Sequence, residues 1–190
     1  MLSLLSRSTL LCLLIGSSLC AQEQGLTAEW AMRPILKEIS AHAGRLVEIL
    51  DKLDLSAWSV NGASESYIEQ IVSSRAQARA LQANALELSK DPEKLAPSLE
   101  AYFRMQSLEY MLFSLRDGIR KYQSAELADT LSSVASENGA NRNRFQTYIT
   151  ELAADREREL DIMNHEAQRC RGFILSQPSG KKKTTGQARD

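Results

Sequence analysis

Three stretches of this 190-residue chain repeat buried-type side chains at alternating intervals of four and three. Met32, Leu36, Ile39, Ala43, Leu46, Leu50 and Leu53 form the first series. Tyr67, Ile71, Ser74, Ala78, Leu81, Ala85 and Leu88 form the second, and Ala101, Met105, Leu108, Leu112, Leu115, Ile119 and Tyr122 the third. A mean interval of about 3.5 residues holds one stripe of an α-helix against a neighbour. No segment alternates with the period of two that a half-buried strand requires. With only 9 Gly and 4 Pro to interrupt the helices, the sequence predicts an all-α fold, antiparallel and four-helix-bundle-like, with coiled-coil-type heptad packing.

Local signals set the expected boundaries. Thr27 is a candidate N-cap, and Pro34 falls in the first two turns, where the helix starts or kinks. A loop is expected over 55–63, with Asn61-Gly62 as its turn and Trp58 folding back over the bundle end. Asp91-Pro92 reads as an N-cap followed by the first helical residue, with Pro97 opening the regular helix. Ser124 caps the last region, 125–173, which is long for one helix. Its run Glu137-Asn138-Gly139-Ala140-Asn141 is poor in helix formers. The helix therefore breaks near Asn138-Gly139 or runs on and overhangs the bundle. A further series, Leu160, Met163, Ala167, Cys170 and Ile174, follows the break. Pairing of two chains through this long last helix, a homodimer, is the alternative to a closed bundle.

Residues 1–21 carry one charge, Arg7, then an apolar run from Leu10 to Ile15 and small residues before Gln22. This is the pattern of a secretory signal peptide, and the run is too short for a spanning helix, which needs about 20 residues. The expected organisation is a signal over 1–21, a helical domain over 22–175 and a disordered basic and polar tail over 176–190. Cleavage falls after Cys20 or Ala21; lipidation of Cys20 is disfavoured by the bulky Leu19 before it. No Asn-X-Ser/Thr sequon is present, which favours a bacterial periplasmic or secreted location. Loss of Arg7 with the signal takes 23 basic residues against 24 acidic to 22 against 24, a net of −2. That balance gives no reason to expect nucleic acid, and no transmembrane segment is expected in the mature chain.

Chemistry is sparse. The two histidines, His42 and His165, follow Ile39 and Ile162 by three residues, so the Glu-x-x-His signature of carboxylate metal bundles is missing. No nucleophile elbow, phosphate loop or Cys-x-x-Cys pair occurs, and no catalytic or metal site is assigned. Met32 and His165 stand where a helical bundle can ligate haem, near the start of the first helix and the end of the last. His165, however, lies about 200° around the helix from Met163, which places it on the outer face. Cys170, on the seam between Arg169 and Arg171, reads as a small buried residue or as a reactive or interchain thiol. Tyr102, Phe103, Tyr110 and Phe113 read as core aromatics, with a ligand groove as the alternative. Arg156–Glu159 reads as a solvated charged face, and Lys181–Lys183 as a solubilising or anion-touching tail. The expected function is a non-enzymatic protein-interaction or scaffold module of the cell envelope. The second expectation is a small-molecule or cofactor carrier with a site between helices, for which Met32, Ser74 and Cys170 are the candidates on a seam.

Overall fold

The computed structural model describes residues 29–176, and the expected signal over 1–21 and most of the expected tail lie outside them. The helices are α1 (Glu29–Asp51), α2 (Leu55–Val60), α3 (Glu65–Leu88), α4 (Leu95–Tyr122), α5 (Ala125–Ser136) and α6 (Gly139–Ser176). The long helices α1, α3 and α4 alternate in direction, and α5 with the first half of α6 makes a broken fourth leg. The three predicted seams supply the core: all of the first series is buried, as is the second from Ile71 and the third as far as Ile119. The fold is an all-α bundle, and among the described residues no helix is long and apolar enough to cross a membrane.

Two junctions differ from expectation. The segment 55–63 is not all loop, because the Asp54 carboxylate accepts from the N–H groups of Ser56 and Ala57 and so starts α2. Trp58 on α2 is fully buried, closing the bundle end as expected. Asp91-Pro92 does not open a helix; Pro92 sits in a turn, and α4 starts at Leu95 with the Ser98 N–H bonding the Lys94 carbonyl. Pro97 then lies in the first turn, where its missing N–H costs no helical bond. Ser124 caps α5 through the Leu127 N–H.

Polar side chains close the end that Trp58 covers. The Trp58 Nε1–H and the Asp54 N–H both donate to Gln123 Oε1, at 3.0 and 3.2 Å, while Gln123 Nε2 donates to the Lys52 carbonyl. The last turn of α1 holds no basic residue of its own; Arg75 from α3 donates to the carbonyls of Leu50 and Leu53, at 3.0 and 2.7 Å. Ser74 is different, since its Oγ is buried without a hydrogen-bond partner among the described residues. Ser74→Ala is therefore expected to raise the unfolding free energy by about 0.5–2 kcal/mol in urea denaturation. A loss of that size would show that the hydroxyl is satisfied after all.

Candidate functional site

The α6 helix has 38 residues and, at 1.5 Å per residue, a length of about 57 Å. Its first half packs into the bundle through Phe145, Tyr148, Ile149 and Leu152. Burial ends there, and every residue from Glu157 to Ser176 is exposed. The ion pair and hydrogen bond of Arg156 with Glu93, in the α3–α4 connection, mark the level at which the bundle stops. Of the two alternatives the break is the one observed, at Glu137-Asn138; the helix does not run on through that segment, and the overhang belongs to α6 alone.

The overhang carries the series Leu160, Met163, Ala167, Cys170 and Ile174 on one face. Met163, Ala167 and Cys170 each follow a bundle-facing residue (Phe145, Ile149 and Leu152) by eighteen positions, which is five full turns. The buried face of α6 thus continues in phase beyond the bundle and meets nothing from the described chain. Met163 is 66% exposed and Ile174 72%. Cys170 is accordingly exposed rather than buried, a correction to the expectation that a seam cysteine fills a core. Its phase is right for burial, but the bundle ends before reaching it.

Charges on the overhang are mostly paired along the helix. Arg156 pairs with Glu159, Arg158 with Asp155 and Arg169 with Glu166, at 2.6, 2.8 and 2.9 Å. Exposed pairs of this kind contribute about 0–1 kcal/mol each, so they keep the helix soluble rather than hold it in place. His165 is exposed, as its phase requires, about 20 Å along the axis beyond Leu152. Met32 is buried in the core, so the two haem-ligand candidates occupy different environments and are not brought together.

A second feature lies at the α5–α6 junction. A cleft of about 60 Å³ is lined by His42, Leu81, Met105, Leu108, Asn138 and Arg142, among others. His42 Nε2 donates to the Val134 carbonyl at 2.8 Å, which leaves Nδ1 as an acceptor with no partner among the described residues. Asn138 Nδ2 contacts Met105 Sδ at 3.1 Å, and its Oδ1 is likewise buried and unpartnered. Arg142 and Glu109 form an ion pair at the rim. Neither Met32 nor Ser74 lines this cleft. The heptad reading overlooked His42, which sits one position before the seam residue Ala43, and nothing in the spacing distinguishes it. Among the described residues no group of three or more His, Cys, Asp or Glu side chains could hold a metal ion.

Burial lowers the pKa of His42 from its ordinary value of 6.5, the Arg45 charge adds to this, and the Val134 bond and Glu137 oppose it. Arg142 and Glu109 are the charged groups facing it across the cleft. The folded chain then binds fewer protons than the unfolded chain below about pH 6.5, so stability is full above that pH and falls as pH drops through it. Urea midpoints should decrease from pH 7.5 to about pH 5.5 in the native protein and decrease less in His42→Gln. Equal slopes would remove His42 as the cause.

The aromatic residues of α4 also depart from expectation. Phe103, Tyr110 and Phe113 are 60, 79 and 69% exposed, because they lie off the Ala101–Ile119 seam; Tyr102 is partly buried, at 6.5 Å centroid distance from Phe145. Arg116 stacks over Phe113 at 5.0 Å.

Among the described residues the chain is an all-α bundle with a projecting amphipathic helix. No protein-family model, curated protein or solved structure matches the chain.

Proposed function

We propose that this protein is a non-enzymatic interaction module of the extracytoplasmic envelope, exported by residues 1–21, which presents the second half of α6 to a protein partner. One observation carries this reading: an apolar heptad face that is buried over Phe145–Leu152 continues in phase over Leu160–Ile174 with nothing of the described chain against it. An isolated helix of about 20 residues with such a face is marginal in water, and its stability comes from whatever it packs on. Contiguous exposed apolar surface of this kind marks association sites in soluble proteins.

The test is photo-cross-linking with benzoylphenylalanine introduced at single positions in the full chain. Met163 and Ala167 lie on the seam; Arg158 and His165 lie on the outer face. Discrete adducts from the seam positions alone are expected. Equal yields from both faces, or none from either, would contradict the proposal.

A carrier function has one observation in its favour, the two unpartnered acceptors, His42 Nδ1 and Asn138 Oδ1, lining one cleft. Its volume of about 60 Å³ takes in a few heavy atoms of a ligand, and the two acceptors call for N–H or O–H donors on them. Native mass spectrometry of the protein from its own envelope would reveal such a ligand as added mass, and a bare chain would remove this reading.

A further inference from the structure

We infer that the occupant of the α6 seam is a second copy of this chain, with the two α6 helices antiparallel. This rests on the reading of the projecting half of α6 as an interaction surface. The direction follows from where the bundle sits. Bundle and occupant use the same face of one helix at different heights, as the eighteen-residue spacing of Met163, Ala167 and Cys170 from Phe145, Ile149 and Leu152 requires. A parallel partner would bring the first half of its own α6, with its bundle, alongside this chain's Phe145–Leu152, where α1 and α4 already pack. An antiparallel partner ends where this bundle begins and carries its own bundle away past Ser176.

The register follows from layers and charges. In an antiparallel pair each a-type side chain faces a d-type one. Leu160 then meets Cys170 of the second copy, Met163 meets Ala167, and Ile174 closes on the aliphatic stem of Arg156. Glu157 falls beside Arg171 of the second copy, twice by symmetry. These two side chains have no ion-pair partner among the described residues, whereas Arg156, Arg158 and Arg169 do. A shift of one heptad either way separates them and strips Leu160 or Ile174 of its apolar layer. One like-charge meeting remains, Glu166 against Glu166 at the dyad, and each is held by Arg169 of its own helix at 2.9 Å.

The geometry also assigns Cys170 a negative role. It stands level with Leu160 of the second copy, so the two Cys170 residues are about 15 Å apart along the axis, too far for a disulfide.

Sedimentation velocity of the full chain under reducing conditions should show a concentration-dependent monomer–dimer equilibrium. Met163→Glu, at an exposed position of the single chain, should raise the dimer Kd about 100-fold or more with the far-ultraviolet circular dichroism of the bundle kept. Glu157→Arg and Arg171→Glu should each raise it about ten-fold, and the double swap should restore it. Under mild oxidation Leu160→Cys should give a covalent dimer and the native chain should not. A monomer at every concentration, a double swap without rescue, or a fast Cys170–Cys170 link in the native chain would each overturn the inference. A monomer whose seam positions still photo-cross-link to a different protein sinks self-pairing alone, and the interaction reading stands. A cross-link from the seam to residues 1–28 or 177–190 of the same chain overturns it as well.

Discussion

Trp58→Ala is expected to lower the unfolding free energy by about 3–5 kcal/mol, the largest loss of any single replacement in the bundle. Trp58 is fully buried at the end where α1, α3 and α4 are tied together. Its ring lies 5.4 Å from Tyr122 and 6.3 Å from Tyr67 between centroids, and a Cβ on Gly118 would come within 3.1 Å of it. Truncation leaves a large cavity and removes the Nε1–H bond to Gln123, whose Oε1 also receives the Asp54 N–H. Urea denaturation followed by circular dichroism reads the effect. A loss below about 1 kcal/mol would mean that α2 is an appendage rather than a lid on the core.

The second large effect is a contrast within one helix. Leu152→Ala should cost about 2–5 kcal/mol, because Leu152 is fully buried in the bundle. Leu160→Ala, eight residues later on the same helix, should change the stability of the dilute monomer by less than about 0.5 kcal/mol, since Leu160 is 58% exposed. The same substitution eight residues apart on one helix then yields costs that differ several-fold, because one side chain lies within the bundle and the other beyond it. Comparable losses at both sites would show that something in the chain covers the overhang.

The fold was largely legible because heptad spacing is a direct record of which face is buried. Every position from Met32 to Leu53 on the first seam is in the core. What spacing records is phase, and it carries no information about height. Cys170 and Leu152 have the same phase, but only Leu152 lies within reach of the bundle. The start of α2 follows from Asp54, whose side chain caps Ser56 and Ala57, while the Asn61-Gly62 turn stands where expected and ends that helix. The exposed Phe103, Tyr110 and Phe113 were misread for a related reason: residue type suggested core, while their offset from the α4 seam placed them outside. His42 and Asn138 were hidden because their meeting depends on where α5 ends and α6 begins, a junction set by tertiary packing rather than by a local pattern.

Among the described residues nothing covers the α6 seam beyond Leu152, and the proposed association would cover it. Amide hydrogen exchange of α6 at two protein concentrations measures this directly. At high dilution the amides of 157–176 should exchange orders of magnitude faster than those of 145–152, as expected for a helix without tertiary support. At high concentration they should gain protection while 145–152 remain unchanged. Uniform, concentration-independent protection along the whole of α6 would contradict the account.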